Sequence, residues 1–368
     1  MLTSALREHV RTHAENRPGI YQLLGVDGHP LYVGKSVRVR TRLLSYFRAP
    51  PGDKAANLIR ETGRISWEYI PNEFSALVRE MKLIQRWRPR FNVQHKRKRV
   101  YAFVKLTREI APRILPVTRV VADGSLYFGP FPAVGQVGRT VRELAHTVGL
   151  RDCPGPTPVY FDDQLEIFSG GRTPLCMRAE LGTCLAPCCG RITGDAYQRQ
   201  VAVARRFLEG RTREPLVGLE RRMEAAVRRL DFEYAGVLRD RIERLQAFQD
   251  RLAAYRGRVE SLTFLYRVPG FAGDDRVYLI RRGRIRRDYA YPKSKRDRSR
   301  MSKAVEDVYR SVERGPAALQ PHEAAEILLV ARWFELRPRE LERTVTPQKW
   351  LEGGAIRRPR RGKRRAPA

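Results

Sequence analysis

Residues 19–47 read GIYQLLGVDGHPLYVGKSVRVRTRLLSYF, and the rest of the N-terminal third is organised around them. Two β-type runs, Ile20 to Leu24 and Leu31 to Val33, flank Val26-Asp27-Gly28-His29, whose central Asp-Gly is a hairpin signal. A helix-period segment follows at roughly Val37 to Phe47, then a β-type run from Ile65 to Ile70 and a second helical segment from Glu73 to Trp87. Gly19 to Leu106 therefore read as a small α/β module.

Working outward, residues 107–150 carry Pro112, Pro116, Gly124, Gly129, Pro130 and Pro132 and read as a connector before a helical stretch near Val137 to Val148. A cysteine-rich, loop-like region comes next. The pattern turns helical and charged from Asp195 to Gly210 and from Leu216 to Ala253. The last third, about 256–350, shows a hairpin signal, Val277 to Ile280 and Ile285 to Tyr291 around Arg282-Gly283, then an apolar-striped helix from Glu323 to Phe334. The whole is expected to be a multidomain α/β protein.

The 368 residues include 72 Lys plus Arg against 40 Asp plus Glu, a formal net charge of +32, which selects for polyanionic partners. Hydrophobic residues make up 42%, enough for packed cores, so a wholly disordered basic chain is excluded. Gly353 to Ala368 hold seven basic residues and no acid and read as a solvated tail or as added electrostatic affinity for DNA. No apolar run of about 18 residues occurs, so neither a signal peptide nor a membrane span is expected. The five cysteines are odd in number and clustered between Cys153 and Cys189, which favours a reducing cytoplasm and a metal over a secreted disulfide framework.

The helix Glu73 to Trp87 carries the most informative residue. Its apolar face is Ala76, Leu77, Leu83, Ile84 and Trp87, and the 3.6-residue period puts Glu80 on that stripe. A carboxylate there requires a partner, either an arginine or a divalent cation, since Mg²⁺ often uses one or two carboxylates and keeps several waters. On the preceding helix Val39, Leu43 and Phe47 form the buried stripe, and Lys35, Arg38 and Arg42 can converge on another face. From Met81 to Lys105 there are nine basic residues and no acid, with Trp87, Phe91 and Tyr101 between them, either a solvated face or a groove that tracks phosphates.

Gly19-Ile20-Tyr21, then Tyr32-Val33-Gly34-Lys35, Arg42, Tyr46, Glu80 and Asn92 in that order resemble the GIY-YIG nuclease family. Within it, YVGKSVRVRTRLLSYF, RISWEYIPNEFSALVREMKLIQRWRPRFN and SLYFGPFP are most similar to the N-terminal half of the UvrC excinuclease family and its shorter homologue Cho, over residues 16 to 250. The resemblance implies Tyr32 as general base or water-orienting phenol, assisted by Tyr21, with Lys35 near it. It further implies Arg42 on the scissile phosphate, Glu80 on a single Mg²⁺ or Mn²⁺, and Tyr46 and Asn92 ordering the network. Arg97, Lys98 and Tyr101-Ala102 stand where UvrC proteins usually have an acidic pair and Tyr-Pro, a basic version more like Cho.

Cys153, Cys176, Cys184 and Cys188, with Cys189 adjacent, leave buried free thiols, structural zinc and an iron-sulfur cluster open by spacing alone. CMRAELGTCLAPCCG resembles the UvrC cysteine region, which implies a 4Fe-4S cluster held by the first four. Leu219, Met223, Ala226, Leu230, Phe232, Ala235, Leu238, Ile242 and Leu245 stripe two helices broken near Asp231, a hairpin too small to bury both faces alone. The run LERRMEAAVRRLDFEYAGVLRDRIERL resembles the UVR motif, which implies docking on a UvrB-like helicase.

The expected division is a GIY-YIG domain at 16–106, a connector at 107–150, a cysteine-rich region at 151–210, a UVR hairpin at 216–250, a C-terminal α+β region at 256–350 and a basic tail at 353–368. The expected activity is one incision on the 3′ side of a lesion in damaged double-stranded DNA, because the chain lacks the length of UvrC's second nuclease. A non-catalytic DNA-binding UvrB adaptor and a structure-specific nuclease outside repair are the alternatives.

Overall fold

The structure, a computed structural model, describes residues 2–93, 101–131, 134–163, 176–310 and 321–357. Arg97, Lys98 and most of the basic tail lie outside the described residues. The chain divides into two compact units, one made of residues 1–98, 259–312 and 325–368, the other of 99–258 and 313–324.

The first unit begins with α1 (Leu2–His13), β1 (Gly19–Leu24), β2 (Pro30–Ser36), α2 (Val39–Tyr46), α3 (Lys54–Glu61), β3 (Arg64–Tyr69), α4 (Glu73–Trp87) and α5 (Arg90–Val93). The strands form an antiparallel sheet in the order β2-β1-β3. Alternation along the central strand β1 sends its side chains into two cores. Tyr21 and Leu23 join α1, α2 and α3 through Val10, Leu43 and Leu58, whereas Ile20 and its neighbour Val33 on β2 meet Ala76 and Leu83 of α4. Neither α1 nor α3 is expected from the sequence, although Asp53 caps α3 by accepting from the Ala55 N–H, a start signal of the ordinary kind. Asn72 caps α4 in the same way through Ser75.

In the second unit, β4 (Ala102–Leu106), β5 (Ile114–Val117) and β6 (Leu126–Phe131) form a sheet ordered β5-β4-β6, followed by α6 (Val134–Val148), the short α7 (Met177–Glu180), α8 (Gly194–Leu208), α9 (Glu214–Arg228) and α10 (Phe232–Ser261). The expected connector at 107–150 is thus corrected: these residues supply two strands and a helix of the unit's core. The prolines that suggested a linker are compatible with strands because β5 and β6 are both edges, where a missing N–H costs no ladder bond. Val141 and Leu144 of α6, Phe207 of α8 and Phe248 of α10 share that core with Val104 and Phe128 of the sheet.

The C-terminal part of the first unit is a sheet ordered β10-β7-β8-β9, from β7 (Phe264–Val268), β8 (Arg276–Arg281), β9 (Arg284–Ala290) and β10 (Thr344–Val345), with α11 (Lys295–Arg310), α12 (Pro321–Leu336) and α13 (Pro347–Leu351) around it. Its two faces are both buried. Leu265, Val277 and Leu279 meet Met301 and Val305 of α11 and Trp350 of α13. On the other face Phe264, Tyr266, Tyr278 and Ile280 meet Val330, Trp333 and Phe334 of α12 and, from α4, Phe74 and Val78.

Helix α4 is therefore covered on two sides. Its stripe read from the sequence divides, with Ala76 and Leu83 going to the N-terminal sheet, while Leu77 packs with Phe74 and Val78 against the C-terminal one. Phe74 has no exposed surface and stands edge-on to Tyr266, Tyr278 and Trp333 at 5.2, 4.9 and 5.2 Å between ring centroids. Removing a ring so enclosed costs about 3–5 kcal/mol. Phe74→Ala is accordingly expected to lower the urea midpoint of unfolding followed by tryptophan fluorescence, and an unchanged midpoint would mean that the two sheets are not joined through this ring.

Candidate active site

The two glycines of the N-terminal motif are there for close approach. A Cβ on Gly34 would lie 2.6 Å from the phenol carbon and oxygen of Tyr21, and one on Gly19 would lie 2.4 Å from the Glu68 carbonyl oxygen across the β1–β3 ladder. Gly34 thus lets the Tyr21 ring lie over the adjacent strand. Its hydroxyl, buried, meets that of Tyr46 on α2 at 2.9 Å and accepts from Arg42 Nε at 3.2 Å. The Arg42 guanidinium also lies 5.0 Å from the centre of the Tyr46 ring. Tyr32, half-buried on β2, completes the group, its ring 6.2 Å from both other tyrosine rings.

Burial raises the pKa of both Tyr21 and Tyr46 above that of a free phenol, reinforced for Tyr21 by Tyr32 and for Tyr46 by Tyr21. Both stay neutral near pH 7. For Arg42, burial opposes its charge, but the bond to Tyr21 outweighs it with the help of the surrounding phenols, and its pKa rises. The cluster is a permanent cation held by the neutral Tyr21 hydroxyl and the face of the Tyr46 ring.

Asn92, at the end of α5, is buried and clasps the edge strand β2. Its Oδ1 accepts from the Val33 N–H at 2.7 Å and its Nδ2 donates to the Val33 carbonyl at 2.8 Å, so the outer side of β2 is satisfied next to Tyr32. Lys54 escaped the sequence reading. Its ammonium lies 5.8 Å from the centre of the Tyr32 ring and donates to the Phe91 carbonyl, and burial lowers its pKa. The only signal for it is its place behind the Asp53 cap. Phe91 is buried in the core, which removes it from the aromatic residues expected to stack on bases, whereas Trp87 stays partly exposed with Arg86 against its ring.

Lys35 does not turn to Tyr32 but donates to Glu73 Oε1 at 3.4 Å. Glu80, half-buried, sits between Ala76 and Leu83 on the side of α4 that packs on β1 and β2. Among the described residues no three His, Cys, Asp or Glu side chains form a metal-holding group.

The same observation bears on the cysteines, whose expected metal-binding group is not formed among the described residues. The thiols are nevertheless neighbours. Burial pushes Cys184 up, and the charges of Cys153 and Cys176 add to it; burial and the 3.6 Å contact with Cys189 push Cys188 up to about 12, again with Cys153 and Cys176 contributing. The helical pair α9 and α10, expected as a hairpin, turns through Leu230, and its two faces separate. Leu216, Leu219, Leu238 and Leu245 are buried in the core of their own unit, and Ala226 is buried as well. At the tip Leu230 is 73% and Phe232 64% exposed, with Val227, Tyr234 and Val237 also open to solvent.

A three-stranded sheet presenting a buried Tyr–Tyr–Arg cluster, a Tyr on its edge strand and a Glu on the helix behind it defines the GIY-YIG class of α/β domains. The chain belongs to the UvrC-like GIY-YIG family: residues 17–93 match the UvrC-like GIY-YIG domain, 101–207 the UvrC/Cho excinuclease middle domain, and 213–248 the UvrB/uvrC motif. UvrABC system protein C of Moorella thermoacetica is 32% identical over 327 residues, covering 87% of this chain and 51% of that protein. The protein of the same name from Methanothermobacter thermautotrophicus is 30% identical over 347 residues, 92% of this chain and 56% of its own length. The chain thus spans about half the length of these relatives. The magnesium-bound GIY-YIG N-terminal endonuclease domain of UvrC from Thermotoga maritima is 31% identical, with 24% of this chain and 97% of that one covered at a TM-score of 0.23. Among the described residues no helix is long and apolar enough to cross a membrane.

The raised phenols set the alkaline behaviour of the fold. Tyr21 and Tyr46 hold their protons more tightly folded than unfolded, where a tyrosine titrates near about 10. Their contribution to stability is complete below that pH and is lost as pH rises toward their folded pKa values. The denaturation midpoint is expected to fall above about pH 10, with buried Tyr197 and Tyr266 and half-buried Tyr309 sharing the effect. Tyr46→Phe should make the fall shallower; an identical slope would mean that Tyr46 is free to ionise in the folded protein.

Proposed function

We propose that the protein is a divalent-metal-dependent DNA endonuclease of nucleotide excision repair, nicking one strand on the 3′ side of a lesion in UvrB-bound DNA. The observation that carries this reading is the Arg42 guanidinium held by two protonated tyrosines beside Tyr32, in a chain of the UvrC-like family. Arg42, ordered by Tyr21 and Tyr46, binds the scissile phosphate and meets the charge that grows on it in the transition state. Tyr32 acts as the general base or as the phenol that orients the attacking water, with the Lys54 ammonium 5.8 Å from the centre of its ring. Tyr21 assists as a neutral hydrogen-bonding phenol rather than as a base. Asn92 fixes the strand that carries Tyr32, and Lys35 supplies a second positive charge at the phosphate. Glu80 would hold Mg²⁺ or Mn²⁺, whose chemistry there is to stabilise the leaving 3′ oxygen.

Two further sites belong to the same reading. Cys153, Cys176, Cys184 and Cys188 would carry a 4Fe-4S cluster, a reading that rests on the sequence resemblance of their region, with zinc as the alternative that metal and sulfide analysis distinguishes. The apolar tip around Phe232 would receive the matching hairpin of a UvrB-like helicase, completing a small four-helix bundle. Net charge of +32 suits a protein that travels on DNA.

The deciding experiment compares nicking and binding on a lesion-containing duplex. Glu80→Gln is expected to abolish Mg²⁺- or Mn²⁺-dependent nicking while DNA affinity stays, because the positive surface is unchanged. Cleavage by that variant at the normal rate would remove Glu80 from the mechanism, and a wild-type protein that binds without ever cutting would be an adaptor. Phe232→Ala should weaken capture of purified UvrB by about tenfold or more yet leave nicking of pre-opened DNA at high enzyme concentration intact; unchanged capture would mean that the tip is not the contact.

A further inference from the structure

The three family matches end at residue 248, and the C-terminal sheet with its helices lies beyond them. We propose that this C-terminal module is a positioning element of the nuclease site, acting through Arg337 on Glu73 and through Glu73 on Lys35. The inference rests on the reading of Lys35 as a group that meets the DNA phosphate.

The contact is specific in its atoms. A single carboxylate oxygen, Oε1 of Glu73, accepts from Lys35 Nζ at 3.4 Å and from Arg337 Nη2 at 3.1 Å. Glu73 opens α4, so its position follows from the packing of that helix between two sheets, with its neighbour Phe74 enclosed by Tyr266, Tyr278 and Trp333. Arg337 is held as firmly on its own side. Its guanidinium lies 4.1 Å from the centre of the Trp333 ring, and its backbone N–H donates to the Trp333 carbonyl at 3.1 Å. Trp333 is in turn fixed through Nε1, which donates to the Tyr266 hydroxyl at 3.0 Å.

The electrostatic consequence is simple. A carboxylate paired with one lysine cancels most of that lysine's field at a nearby phosphate, whereas a carboxylate shared between two cations leaves a net positive charge on the trio. Arg337 therefore keeps Glu73 from quenching Lys35, and lets the ammonium leave for substrate while the carboxylate retains a partner. The C-terminal module is in this sense part of the active site without touching DNA there.

Removal of Arg337 is then expected to slow the reaction by tightening the Lys35–Glu73 pair, and removal of the Glu73 charge as well is expected to restore it. Nicking rates at saturating lesion DNA would be measured for wild type, Arg337→Ala, Arg337→Lys and the double variant Glu73→Gln/Arg337→Ala, with thermal unfolding of each as the check on folding. Arg337→Ala should lose about threefold to fivefold, the size an exposed ion pair supports, with Arg337→Lys and the double variant both recovering. A merely structural Arg337 would give a double variant at least as slow as the single one, and that outcome overturns the proposal, as does an Arg337→Ala rate equal to wild type. A wild-type protein without nicking activity would instead overturn the nuclease reading on which the inference rests.

Discussion

Helix α4 carries two apolar faces, and burying both is the constraint on which the rest of the first unit depends. Ala76 and Leu83 need the sheet of β1 and β2, whereas Phe74 and Val78 need the sheet of β7 and β8. A helix with one wet face satisfies itself on a single sheet; this one cannot. The interdigitated aromatic rings around Phe74 and the backbone bond from the Phe271 N–H to the Pro71 carbonyl at 2.8 Å hold the two segments of chain together although some 200 residues separate them. Glu73 and Glu80, one at the start of the helix and one in its middle, are aimed by that packing.

The polar heart of the site follows the opposite logic. Three tyrosines and an arginine are brought into one corner of an apolar core, where an unpaired hydroxyl would be costly. Arg42 resolves this by donating to Tyr21 while Tyr21 and Tyr46 share a hydrogen bond. Burial keeps the phenols protonated, and the bond to Tyr21 that satisfies the core also favours the charged guanidinium, so stability and the proposed phosphate binding draw on one corner of the core. Tyr32, toward the rim, and Lys35, turned to Glu73, stand outside that hydrogen-bonded set.

In the second unit the separation of faces is what divides structure from recognition. The inner residues of α9 and α10 complete the core shared with α6 and α8, so the hairpin is anchored. Its tip, around Leu230 and Phe232, is left without cover, because the turn at Arg229–Asp231 carries it past the last core layer. An anchored base with an apolar end is the form a docking element requires: the base lowers the ordering cost of binding, and the end supplies the area.

Much of this was legible in the linear chain. Strand alternation and helical period, which are local properties, gave the strands around Gly19 to Val33 and the helices that carry Arg42 and Glu80, and the resemblance of Gly19-Ile20-Tyr21, Tyr32-Val33-Gly34-Lys35, Arg42, Tyr46, Glu80 and Asn92 to a known family implied the candidate site. The break at Asp231, the hairpin at Arg282-Gly283 and the helix Glu73 to Trp87 are equally local. The prolines of 107–150 misled because their tolerance depends on strands being at sheet edges, a matter of neighbours. Only the tertiary structure decided that Phe91 is core, that Lys54 faces Tyr32, that Tyr21 stays protonated and that Arg337 reaches Glu73. Each of these depends on what another part of the chain brings within a few ångströms, and burial, hydrogen bonding and charge pairing act at that range whatever the separation in sequence.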